Sequence, residues 1–172
     1  DLIFVHPDGV GDAGADFYAR VAADLLSILS AAAAEGSLIR VDARLRPDGA
    51  GGPLSRSVSE TIEYFYARAR PWERQAYLKS RFAAGNAEIG RPFERETRRW
   101  VFRKFLTSDE IEGLRKLRGL MEIEATRKAA GPRGAPTNSA GREIKGGRGG
   151  IRDIEFTLQY LQLFHGGSLS SM

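Results

Sequence analysis

The chain has 172 residues, 28% charged and 42% hydrophobic, with no cysteine; this suits one globular unit or two small ones and excludes a disulfide scaffold and a thiolate zinc site. No apolar run approaches the ~20 residues that cross a bilayer, and no basic segment followed by an apolar one reads as a secretion signal. The formal net charge is +4, but residues 1–58 carry 5 Lys+Arg against 8 Asp+Glu, net −3, which leaves the remainder at +7.

Leu2 to His6 reads as a buried strand ended by the turn cluster Pro7 to Asp12. Because Asp1 runs straight into apolar residues, the expectation is that further residues precede it. A helix is predicted over 16–34, with Phe17, Val21, Leu25, Ile28 and Leu29 at helical spacing and Gly36 just beyond. Residues 38–46 alternate, with Ile39, Val41, Ala43 and Leu45 on one side and Arg40, Asp42, Arg44 and Arg46 on the other, which predicts a strand with a polar face. Pro47 stops it, and a Gly-rich loop leads to a helix capped by Ser57 or Ser59. Helical segments follow near 59–69, 72–83 and 92–105, separated at Pro71 and Pro92. A longer helix is predicted over 109–129, and a mobile Gly/Pro/Asn/Ser-rich loop over 131–141. A last helix over 151–165 should bury Ile151, Ile154, Leu158, Leu161 and Phe164 and stop at Gly166-Gly167. Strand, helix, strand, then helices only describes a small mixed α/β piece joined to a helical bundle.

The chemistry is expected on the two strands. Asp42, Arg44 and Arg46 share one face at a spacing of two, a pattern that surface ion pairs on an edge strand also produce. Asp1 supplies a second carboxylate at the head of the other strand. Two aspartates from neighbouring strands can hold divalent ions that bridge a nucleotide's phosphates, while arginines neutralise developing charge. With no cysteine and two distant histidines, any metal is held by oxygen, which selects Mg2+ or Mn2+. Lys145 to Gly150 is a basic Gly-rich loop opening a helix: it is suited to an anion through backbone N–H groups and Lys145 or Arg148, and equally to a flexible turn. Asp153 and Glu155 fit a helix N-terminus. Lys79 and Arg81 read as a solvated helix face, and Trp72, Trp100 and Tyr64 to Tyr66 as core. His6 and His165 have no partner spacing.

The run Val41-Asp42-Ala43-Arg44-Leu45-Arg46-Pro47-Asp48-Gly49, followed by Gly52-Pro53-Leu54, resembles the signature of the bacterial glutamine synthetase adenylyltransferase/adenylyl-removing enzymes. The resemblance continues through Trp72-Glu73-Arg74-Gln75-Ala76 with Lys79-Ser80-Arg81, and through Ile144 to Phe156, so it covers nearly the whole chain. It implies an α+β fold, a nucleotidyltransferase-like mixed sheet with helices whose N-terminal part is truncated here (1–106), then an α-helical domain (107–172). Asp1 matches the last aspartate of the family's Gly-Ser-Asp-x-Asp motif, so the resemblance makes Asp1 and Asp42 catalytic, metal-holding carboxylates, and Arg44, Arg46, Lys145 and Arg148 nucleotide- or phosphate-binding. It implies Mg2+ or Mn2+, ATP or ADP as substrate or product, glutamine synthetase and a PII-type signal protein as partners, and the cytoplasm. The earlier residues of the motif are absent from this sequence, so the chain alone is expected to be inactive.

The family has two similar halves, one attaching AMP to a synthetase tyrosine with ATP, the other removing it with phosphate to give ADP. Gly52-Pro53-Leu54, Trp72-Glu73-Arg74 and Gly149-Gly150-Ile151-Arg152-Asp153-Ile154-Glu155-Phe156 look more like the removing half, with the adenylylating half as alternative. A basic module that contacts nucleic acid through residues 127–152 explains the charge but not Asp42 with its two arginines. A nucleotidyltransferase fold kept only for protein contact is the third reading.

Overall fold

The computed structural model describes residues 1–34, 40–103, 108, 111–113, 116, 119, 123 and 150–169. The chain divides into two compact units, Asp1–Trp100 and Val101–Met172.

In the first unit, β1 (Phe4–His6) pairs in parallel with β2 (Ser55–Ser57), Phe4 opposite Ser55 and His6 opposite Ser57. A parallel pair needs a long crossover, and α1 (Gly11–Ala34) provides it, contacting both strands. The helix is turned by about one residue from its predicted orientation. Ala22 is buried, whereas Phe17, Val21, Leu25 and Ile28 are 41–65% exposed. Gly14, Ala15, Tyr18, Ala19, Leu26 and Leu29 are the partly covered positions. Small side chains let a helix lie close to the strands, so the alanine arc turns inward and the bulky stripe stays open.

Over its described residues, 40–46, the strand predicted for 38–46 does not form. Residues 40–43 lack regular structure, and 44–48 fold into turns; residues 35–39 lie outside the described region. The second strand is instead Ser55–Ser57, beyond the Gly-rich loop. It runs directly into α2 (Val58–Ala67) through a capping box: the Glu60 N–H donates to Ser57 Oγ, and Glu60 Oε2 accepts from the Ser57 N–H. Ser57 is therefore the cap. Ser59 bonds elsewhere, its N–H and hydroxyl donating to the two Asp8 carboxylate oxygens at 2.9 and 2.8 Å, which ties the β1–α1 turn to the start of α2.

Pro71 starts α3 (Pro71–Ala76), where its missing N–H costs nothing. That helix is shorter than predicted and gives way to a turn at 77–79. α4 (Ala87–Val101) begins five residues before Pro92, which sits inside it. Asn86 explains this early start, since its Oδ1 accepts the Glu88 N–H at 2.8 Å. The core of the unit is aromatic: Phe65 stacks on Trp100 at 4.4 Å and meets Tyr77 edge-on at 4.9 Å. Such pairs contribute about 1 kcal/mol each beyond buried area.

In the second unit, the described residues between 108 and 123 are helical. The remainder of the helix predicted over 109–129, and the loop predicted over 131–141, lie outside the described residues. α5 (Ile151–Leu169) continues through Gly166-Gly167. A Cβ at Gly166 would meet the Phe102 ring at 2.3 Å, so this glycine permits close packing and does not end the helix. Leu163 is buried, while the five residues predicted to be buried, Ile151, Ile154, Leu158, Leu161 and Phe164, are about half exposed. Among the described residues no helix is long and apolar enough to cross a membrane.

Candidate functional site

The segment after residue 40 has no strand ladder to hold it, so its shape depends on individual tethers. The first is the Leu2 N–H, which donates to the Asp42 carbonyl at 2.8 Å. This bond joins the main chain at Leu2, one residue after Asp1, to that of Asp42.

Asp42 then folds back on Arg44. The Arg44 N–H donates to Asp42 Oδ1 at 2.8 Å, its Nε to both carboxylate oxygens at 3.0 and 2.9 Å, and its Nη2 to Oδ2 at 2.5 Å. A guanidinium held by two parallel bonds is the strongest arrangement such a pair adopts. These bonds, the side-chain ones first and the backbone one next, hold the Asp42 carboxyl far below the usual carboxylate range, with Arg40 adding a smaller charge effect and desolvation opposing. The same pairing raises the Arg44 pKa. The Arg44 side chain is 70% exposed and that of Asp42 24%, so Arg44 faces outward over a partly covered Asp42.

Arg46 behaves differently. Its Nε donates to Gly52 O at 3.0 Å, Nη1 to Ala43 O at 2.8 Å and Nη2 to Ala50 O at 3.1 Å. Three of the five N–H groups of a guanidinium are thus spent on main-chain carbonyls, and the side chain closes the loop around itself. Gly52 permits this closure, because a Cβ there would lie 2.2 Å from Pro47 O. Asp48, with φ +62°, pairs with Arg56 of β2 at 2.7 Å. Asp42, Arg44 and Arg46 were expected in a row on one strand face; the structure brings Asp42 and Arg44 together and turns Arg46 into the loop. Lys145 and Arg148 lie outside the described residues. Lys79 and Arg81 are exposed, as expected of a solvated face, and Asp153 sits in the first turn of α5.

The predictions missed Tyr77, whose hydroxyl donates to Leu45 O at 2.8 Å. They also missed the Asp48–Arg56 and Asp8–Ser59 pairs. Each joins residues too far apart for periodicity to reveal, although the charge opposition of Asp48 and Arg56 was visible.

Among the described residues no group of three or more His, Cys, Asp or Glu converges on one point. Two carboxylates of neighbouring segments still suit Mg2+, which takes one or two protein oxygens and completes its shell with water and substrate phosphates. The Asp1 and Asp42 donors are of that kind.

The profile of the glutamate-ammonia ligase adenylyltransferase family matches residues 1–96, and that of the PII-uridylyltransferases matches residues 115–171. Three proteins, each named bifunctional glutamine synthetase adenylyltransferase/adenylyl-removing enzyme, are similar along nearly the whole chain. They come from Methylococcus capsulatus (39% identical, 97% of this chain, 17% of the relative), Pseudomonas aeruginosa (36%, 97% and 17%) and Xanthomonas oryzae (35%, 100% and 18%). The chain therefore spans less than a fifth of the length of these relatives.

Proposed function

Since the chain belongs to the glutamate-ammonia ligase adenylyltransferase family, we propose that it is the metal-holding part of a nucleotidyltransferase domain that removes AMP from a tyrosine of glutamine synthetase. The observation that supports this reading is the Asp42–Arg44 pair, whose main chain at Asp42 is bonded to the Leu2 N–H, one residue after Asp1.

Asp1 and Asp42 hold the divalent ion, Mg2+ or Mn2+. When bound, the ion neutralises phosphate charge and aligns the reacting oxygens. In the removing direction an oxygen of inorganic phosphate attacks the AMP phosphorus, the bond to the tyrosine oxygen breaks, and ADP leaves. The tyrosine oxygen takes up a proton. Arg44 offers an exposed guanidinium for the charge that spreads over the oxygens of the transferring AMP phosphate. Arg46, largely committed to carbonyls, lends charge from within the loop. The similarity of residues 115–171 to PII-uridylyltransferases supports a PII-type signal protein as regulator.

In the whole gene product, Asp42→Asn should abolish AMP removal, because one charged ligand fewer weakens ion binding, and should leave the circular dichroism spectrum unchanged, because Asp42 is not part of the core. Wild-type turnover in that variant would refute the assignment.

A further inference from the structure

The motif Trp72-Glu73-Arg74-Gln75-Ala76 is buried across Glu73, Arg74 and Gln75. What it builds is a platform. Glu73 accepts the Tyr64 hydroxyl at 3.0 and 2.9 Å and the Arg70 N–H at 3.1 Å, and the Arg74 guanidinium lies 5.7 Å from the Trp100 ring centre. Immediately after the motif, Tyr77 is 4% exposed, edge-on to Phe65 at 4.9 Å and to Trp100 at 5.7 Å. Its ring is therefore locked, and its hydroxyl reaches out of this core to Leu45 O, the carbonyl that follows Arg44.

We propose that Tyr77 is a positioning residue for the Asp42–Arg44 pair, fixing the main chain between Arg44 and Arg46 from the aromatic core. The inference rests on the reading of Asp42 as an ion-holding carboxylate. Its physical basis is where the restraints come from. Residues 42–48 belong to no ladder, the Leu2 bond holds one end, Asp48 at the other end pairs with Arg56 of β2, and the Arg46 fork draws together carbonyls of the loop itself. The Tyr77 hydroxyl reaches this segment from the aromatic core, 32 residues away. A rigid phenol is suited to this, since a ligand held within a fraction of an ångström binds its ion without first being ordered. Burial above all, with the nearby Glu73 and Tyr64, keeps the phenol protonated and hence a donor.

Tyr77→Phe removes the donor and keeps the ring. In the whole gene product, Mn2+ affinity measured with the metal alone by electron paramagnetic resonance should fall about 5- to 10-fold. The Mn2+ concentration for half-maximal AMP removal should rise equally, and saturating Mn2+ should restore kcat. Thr97→Val, which alters the buried α4 hydroxyl bonded to Phe93 O, serves as control: it should lower Tm without moving Mn2+ affinity. Should Tyr77→Phe fail to fold, Arg46→Lys, which keeps the charge but cannot span three carbonyls, is expected to weaken Mn2+ in the same way. Wild-type Mn2+ affinity in a folded Tyr77→Phe or Arg46→Lys protein overturns the proposal while the ion-site reading stands. A wild-type protein that binds no Mn2+ overturns both.

Discussion

Both oxygens of Asp42 are occupied by one arginine, so an incoming cation has to compete for the lone pairs that Arg44 holds. This competition sets the sign of a substitution. Arg44→Gln should raise the affinity for Mn2+ alone, because the carboxylate is released. It should also weaken ADP binding by about tenfold, because a charged donor to phosphate is lost. Calorimetric titrations with each ligand separate the two effects, and a fall in Mn2+ affinity would refute the competition. The nearness of Asp42 and Arg44 was legible in the alternating pattern, but for a different reason from the one observed. They meet across a turn and not on a pleat. An alternation of period two marks an extended tendency, whereas a ladder also requires a partner strand, whose position no local pattern contains. Tyr77 was read as nothing at all, since a hydroxyl aimed at a carbonyl 32 residues away leaves no local trace.

Among the elements, α2 shows how far local chemistry reaches. Ser57-x-x-Glu60 is a capping box in sequence and in structure. The Asp8–Ser59 pair spans 51 residues and is invisible in the sequence. The bonds from Ser59, backbone first and side chain next, lower the Asp8 pKa. A lowered folded-state value means that the carboxylate stabilises the fold at pH values above its unfolded pKa of about 3.9. That contribution fades as the pH falls through the folded value. Asp8→Ala should therefore lower stability at pH 7 by about 1 kcal/mol, as for a lost helix cap, and the gap in Tm from wild type should close on acidification. A gap independent of pH would contradict the pairing. Helical periodicity located α1 and α5 but misjudged their inward faces. It reports an apolar arc, and the small-residue arc one position away packs closer to the strands, as Ala22 does in α1.

For the whole molecule, the long signatures were the most legible feature, because several motifs in order constrain a family more tightly than any one element. The identity of the second strand was not legible: Ser55-Arg56-Ser57 has no apolar alternation and is a strand only through its pairing with Phe4-Val5-His6. The charge contrast between residues 1–58, net −3, and the remainder, net +7, was legible by counting.

The most direct test is an assay of AMP-tyrosyl glutamine synthetase with a protein in which this chain follows an intact Gly-Ser-Asp motif. The account predicts that ADP is released only when inorganic phosphate is present, that Asp42→Asn abolishes the release, and that unmodified synthetase gains no AMP from ATP. Consumption of ATP with AMP labelling of the unmodified synthetase would contradict the removing direction and assign the chain to the attaching one.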